Sequence, residues 1–318
     1  MTKFVGRRGT LGIAIEATRG TAVSPTYWLP FVTMSFKDTI ESAREEQGMG
    51  KIADSDSFYV TMRMGEGEIE SQLYDAALGY ILTSLLGAVP VTTGANPYTH
   101  TFTLSQTNQA KTLSLYWTDP DRSYMFPNAV VDSLQMSVEP SGIVSWTVGF
   151  KTKGSKDWAA QTPNFTAVGN KFLHQHLQFR LASAIGGLSG ATPISLKSLE
   201  LTISRNTIFD NVIGTVEPED ILSQQISIEG SINLNLEDDT YRNYMLANTY
   251  RAAEIKLLRS TSSSLTLQLP RVDFSEWEPD YTLNEIAKQS INLKANYDVA
   301  NALDIISTAT LINTKVSY

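Results

Sequence analysis

The chain has 318 residues, 42% hydrophobic and 18% charged, which is enough apolar material for packed cores and too little charge density for a disordered chain. Its 25 Lys and Arg against 33 Asp and Glu give a formal net charge of −8, which argues against nucleic-acid binding by clustered cations that neutralise phosphates. The absence of cysteine excludes disulfides and thiolate metal sites and permits a reducing compartment.

At roughly 100–200 residues per domain, this length predicts two domains. The basic start holds no apolar run of signal-peptide length. The most apolar stretch, 76–89, is too short and interrupted to span a bilayer, so a soluble protein without membrane insertion is expected. The first long polar segment, 41–56, has little periodicity and reads as an extended loop. Val60, Met62 and Met64 then alternate with polar residues, as a half-buried strand does. From Asp75 to Gly87, the pairs Ala77/Leu78, Ile81/Leu82 and Leu85/Leu86 recur at helical spacing, with Asp75 at the positive end of the dipole and Gly87 as the stop.

Alternation resumes at Leu113, Leu115 and Trp117, at Leu134, Met136 and Val138, and at Val144, Trp146, Val148 and Phe150. The polar stretch 154–170 predicts a boundary, giving domains over 1–155 and 171–318 joined by a linker at 156–170. Strands follow at 199–203, 226–236, 265–269 and 291–295, with a second helix predicted over 239–248. The segment 226–236 places Ile226, Ile228, Ile232, Leu234 and Leu236 on one face and Gln225, Ser227, Glu229, Ser231, Asn233 and Asn235 on the other, an antiparallel strand with one wet side.

These elements repeat. Gly67, Ile69, Leu73 and Asp75 match Gly230, Ile232, Leu236 and Asp238 at a constant offset of 230 − 67 = 163. Pro127, Val131 and Asp132 resemble Pro270, Val272 and Asp273, and Glu139-Pro140 resembles Glu278-Pro279 at 278 − 139 = 139. The smaller offset implies extra residues in the first half, at 89–110.

A catalytic constellation is not legible. The only histidines are His100, His174 and His176, and the last two would share one side of a strand over 171–181 without the further ligands a metal needs. Asp54/Asp56, Asp119/Asp121 and Asp238/Asp239 lack the glycine and terminal glutamate of a Ca²⁺ loop and read as turns and a helix cap. Trp146 alternates in phase with Val144 and Val148, so it reads as core rather than as a base-stacking platform. No cofactor and no metal are expected.

Gly12, Glu16, Thr18, Gly20, Thr21, Pro25, Trp28, Leu29 and Pro30 resemble the start of tail tube proteins of long-tailed, siphovirus-like bacteriophages. The segment 67–74 before a helix, Asn128 to Leu134 before a strand pair, and 313–318 extend the resemblance over nearly the whole chain. It implies a mainly β fold, with two tandem tube-type β-sandwich or barrel domains, each with one flanking helix. It further implies a virion tail subunit, assembled in the bacterial host cytoplasm. Such a subunit self-assembles into stacked rings around the channel for genome delivery. Two domains per chain imply a homotrimeric ring with pseudo-sixfold symmetry. The implied partners are other tail proteins (tape measure, tail terminator, distal tail) and double-stranded DNA that passes without specific binding. Arg44, Glu45, Glu46, Gly48, Met49, Gly50 and Lys51 would belong to a loop reaching the neighbouring ring, and the polar face 225–235 would line the lumen. The competing readings are another tail component of this fold (completion, hub or baseplate protein), a host-binding module, and a hydrolase on an all-β scaffold.

Overall fold

The computed structural model describes residues 3–55 and 57–318; Met1, Thr2 and Asp56, the last member of the polar segment, lie outside the described residues. The first half begins with β1 (Thr10–Ile15), β2 (Tyr27–Leu29), β3 (Thr33–Met34), β4 (Lys37–Glu45), β5 (Ser57–Gln72) and helix α1 (Asp75–Leu86). It continues with β6 (Val91–Thr93), β7 (Tyr98–Phe102), β8 (Leu113–Thr118), β9 (Ser123–Val138), β10 (Ser145–Lys153) and β11 (Lys156–Asp157). The second half has β12 (Leu177–Ala182), β13 (Ser198–Ser204), β14 (Ile208–Asp210), β15 (Asp220–Leu222), β16 (Ser227–Asn235) and helix α2 (Thr240–Leu246). Last come β17 (Arg251–Ser260), β18 (Ser263–Asp280), β19 (Lys288–Asn296) and β20 (Thr308–Asn313). The fold is mainly β, as the alternating hydrophobic pattern requires.

The hydrogen-bonded order β4–β5–β10–β9 is followed, strand for strand, by β13–β16–β19–β18. On the other layer, β1–β8–β9–β11 is matched by β12–β17–β18–β20. The long strands β9 and β18 each serve both layers, turning between them at irregular registers. Opposite β8, β9 passes from Phe126 to Ala129; opposite β17, β18 passes from Leu269 to Val272. A second irregularity falls between Val131 and Ser133 in β9 and between Phe274 and Glu276 in β18.

The pairing fixes the equivalences. Val131 opposes Phe150 as Phe274 opposes Leu293, an offset of 274 − 131 = 143 in both strands. Gly67 opposes Phe150 as Gly230 opposes Leu293, which gives 163 for β5 and β16. The matches Val131/Val272 and Glu139/Glu278 are therefore out of register. The bulged Asp132 corresponds to Ser275, and Gln135, not Glu139, corresponds to Glu278. Much of the difference between 163 and 143 is absorbed by the β6–β7 hairpin inserted after α1, which crosses over to pair with β20.

Helix α1 ends where Gly87 adopts φ +84 and donates its amide to Thr83, as a left-handed cap does. All twelve of its residues are buried, more than its three apolar pairs predict. The polar members are satisfied internally: Thr83 donates to the Gly79 carbonyl, and Ser84 accepts the Val131 amide that the β9 bulge frees. Leu78, Ile81, Leu82, Leu85 and Leu86, each at most 2% exposed, contribute about 1.5–3 kcal/mol apiece to the core. Helix α2 is shorter and half-buried, laying Tyr241 and Tyr244 against Phe274 of β18 with ring centroids 6.2 and 5.4 Å away.

The sequence motifs have local reasons. The buried Glu16 carboxylate accepts the Gly20 amide at 2.7 Å, Thr112 Oγ1 at 2.6 Å, Ser114 Oγ at 2.9 Å and the Asn128 amide at 2.9 Å, which staples the loop after β1 to β8 and β9. Gly20 sits at φ +74, and a side chain on Gly12 would strike Pro25. At the other end, the Asn313 amide donates to the Asp75 carbonyl at 3.0 Å, and the Tyr318 ring packs on Gly79, where no side chain fits. Burial pushes the Tyr318 hydroxyl well above its ordinary pKa.

Candidate functional site

The two halves meet at a seam of six consecutive pairs, Leu199 opposite Val138 through Ser204 opposite Ser133, so that one sheet runs unbroken from β4 to β18. Cross-strand rows can be followed along its outward face. One row reads Glu70, Thr147, Gln135, Thr202, Glu229, Lys294 and Asp273 over seven strands. The next reads Gln72, Ser145, Ser137, Glu200, Ser231, Asn292 and Glu276. The face is polar throughout, and its charges are mostly carboxylates.

Of the residues expected on this face, Ser227, Glu229, Ser231, Asn233 and Asn235 lie on β16, but Gln225 precedes the strand in an exposed, non-strand segment. Glu229 is not a bare carboxylate, since Lys294 on β19 lies 3.0 Å away; both side chains are exposed, so the pair is weak. Asn233 donates to Ser198 Oγ at 2.7 Å, which ties β16 to β13. The first half adds Glu70, Thr147 and Gln135. The alternation around each is visible in the sequence, but which strands lie side by side is not.

The polar segment 41–56 is not a loop along its whole length. Strand β4 runs to Glu45, and Arg44 and Glu45 pair with Phe58 and Ser57 of β5, making a two-stranded arm that extends past the sheet. Glu46, Gly48, Met49, Gly50 and Lys51 form its exposed tip. The alternation fails here because neither face is buried: Ile40, Phe58 and Tyr59 are 52%, 61% and 58% exposed, and Ile52 at the tip is fully so. These large apolar side chains stand in water on a projecting arm.

Among the described residues the histidines and paired carboxylates singled out in the sequence take separate structural places. His100 is buried between Thr92, Asn313 and the Lys315 carbonyl, and burial lowers its pKa. His174 and His176 lie in a 3-10 turn, not on a strand face, where His174 contacts the Gly142 carbonyl and His176 accepts the Leu173 amide. Asp119 accepts the Asp121 and Arg122 amides at 2.9 Å, a turn, and Asp238 accepts the Thr240 amide at 2.9 Å at the start of α2. Among the described residues no three His, Asp or Glu side chains are grouped to hold a metal ion.

The Arg19–Asp220 ion pair is structural. Arg19 holds Asp220 at 2.8 Å and also reaches the Ala110 carbonyl, while Asn128 donates to Asp220 at 3.1 Å. Burial alone would raise the Asp220 carboxyl, but Asn128, the Ile221 amide and the Arg19 guanidinium together hold it below its ordinary range. This cluster clamps the β14–β15 hairpin of the second half onto the first.

Comparison with curated proteins gives no match. A protein-family profile described as phage tail tube protein matches residues 6–300. That span takes in the arm, the continuous sheet and both helices. The chain belongs to the phage tail tube protein family, and it is a structural component of the virion tail that assembles with itself and with other tail proteins.

Proposed function

We propose that the chain is the tube subunit itself, built from a tandem duplication whose two domains, 1–155 and 171–318, each supply one sixth of a ring. Three copies close the ring and stacked rings form the channel through which the genome passes. The observation that carries this reading is the strand-for-strand recurrence of the sheet order, with a seam in which the end of one repeat pairs with the start of the next. A sheet that joins its own repeats in this way leaves an equivalent unpaired strand at each end, and ring closure removes both.

The outward polar face lines the lumen. Carboxylates such as Glu70, Glu200 and Glu229 among neutral Ser, Thr, Asn and Gln give passing phosphates no cation cluster to bind. The arm contacts the adjacent ring through its apolar tip and flanks. Assembly takes place in the host cytoplasm and the role requires no catalysis.

Reversing the lumen charges tests the conduit. Tubes bearing Glu200→Lys, Glu229→Lys and Glu276→Lys should co-sediment with short double-stranded DNA added during assembly. That DNA should resist nuclease and be lost as salt rises, whereas unmodified tubes should retain none. DNA bound to variant tubes but fully nuclease-sensitive would place this face on the outside and refute the lumen assignment.

A further inference from the structure

The seam inside the chain is a template for the seam between chains. Its pairs alternate: Arg205 donates its amide to the Asp132 carbonyl, so Leu199, Leu201 and Ile203 point their backbone groups at β9, and the residues between them point at β16. By the equivalences above, β9 corresponds to β18 at +143. Glu229 opposes Thr202 as Glu66 opposes Lys37, so β13 corresponds to β4 at 202 − 37 = 165. Among the described residues both counterpart edges are free: 276–280 of β18 pair only with β19, and β4 pairs only with β5.

Applying the same step once more gives one register. Thr202 faces Gln135 inside the chain; its counterpart is Lys37, and that of Gln135 is 135 + 143 = 278, which is Glu278. We infer that β4 of one copy pairs antiparallel with the C-terminal part of β18 of the next, with Lys37 directly opposite Glu278 and with Ser35 and Thr39 opposite Asp280 and Glu276. This deepens, and rests on, the tube reading.

Two observations beyond the repeat support it. The residues of β9 that the internal seam buries, Met136 and Val138 at 4% and 3% exposure, have as counterparts Pro279 and Tyr281, both exposed, the latter 69%. The charges also match. Where the internal seam sets Thr202 against Gln135, the external one sets an exposed cation against an exposed carboxylate, flanked by two more carboxylates. Neither Lys37 nor Glu278 has an ion pair among the described residues. Opposite charges directly across antiparallel strands are favourable, and a one-residue slip would turn Lys37 away from the face that carries Glu276, Glu278 and Asp280.

Pro279 has a place in the same account. Even-numbered residues of this stretch pair with β19, so the missing amide of Pro279 falls on the free edge. The seam there forms with one ladder bond fewer. An edge proline also discourages indiscriminate strand addition before assembly.

Because the chain has no cysteine, the register can be read by oxidation. Lys37 and Glu278 would form a non-hydrogen-bonded pair, with Cα atoms about 4.5 Å apart, inside the disulfide range. A two-residue slip puts them about 7–8 Å apart. Assembled Lys37→Cys/Glu278→Cys protein should cross-link between chains at least fivefold faster than Lys37→Cys/Glu276→Cys or Lys37→Cys/Asp280→Cys. In parallel, Lys37→Glu and Glu278→Lys should each raise the concentration needed for assembly, and the double exchange should restore it. Tubes that form but cross-link faster through a shifted pair, or not at all, would overturn the register and leave the tube reading standing. A chain that stays monomeric in every variant and in the parent would overturn both.

Discussion

Phe58 separates the arm's contact role from any role in folding. It stands on β5 opposite Arg44 and is 61% exposed, so its ring contributes little to the stability of a single chain. Fully burying a phenylalanine is worth about 1.5–3 kcal/mol, so covering the exposed part against a neighbouring ring is worth about 1–2 kcal/mol per subunit added. Phe58→Ser should therefore raise the critical concentration for tube formation by about 5–30-fold. Its unfolding free energy should fall by no more than about 1 kcal/mol, the share of the ring already covered in a single chain. The assay is sedimentation of tubes across a concentration series, reading the plateau of unassembled protein, with urea unfolding of the unassembled chain beside it. A plateau unchanged in Phe58→Ser and also in Ile52→Ser would refute the reasoning, because no apolar contact would then be made by the arm.

Two further outcomes follow from the fold. Glu16→Ala leaves the buried Asn128 amide, the half-buried Gly20 amide and two buried hydroxyls without their acceptor, so urea unfolding should show a loss of about 3–5 kcal/mol, and a loss under 1 kcal/mol would contradict the stapling role. Asp220 has its carboxyl held below the ordinary value of ~3.9, so its contribution to stability is complete above that pH and disappears as pH falls through the lower folded value. Asp220→Asn should be less stable than the parent at neutral pH, with a gap that narrows below about pH 4, and a gap constant down to pH 2 would contradict the linkage.

The strands β5, β8, β9, β10, β13, β16, β18 and β19 and both helices were legible because their periodicity records which side is buried, whereas others, such as β1 and β17, were not read; Gly87 marks the end of α1 by the conformation only glycine adopts readily. The arm was half-legible. Residues 41–45 pair with 57–62, yet both faces of the arm meet water, so no alternation betrays the strand. The sequence matches from Gly67 to Asp75 coincide with the offset that strand pairing gives, and those after Pro127 do not. Bulges there displace side-chain identity from structural position, so that Val-Asp recurs two residues out of register. Polar faces were legible on single strands, but that Gln135, Thr202 and Glu229 share one row needs the strand pairing, which no local pattern records. The role of Glu16 needs Thr112, Ser114 and Asn128, about a hundred residues away, and no local pattern points to them.

Electron microscopy of the purified chain, concentrated over days and averaged along and down the axis of any filaments, tests the central claim most directly. The account predicts hollow tubes of stacked rings, each ring made of three chains arranged as six similar units around a channel walled by the continuous sheet. Solid filaments, rings of six whole chains, or tubes whose channel is walled by α1 rather than by the β4–β18 sheet would contradict it.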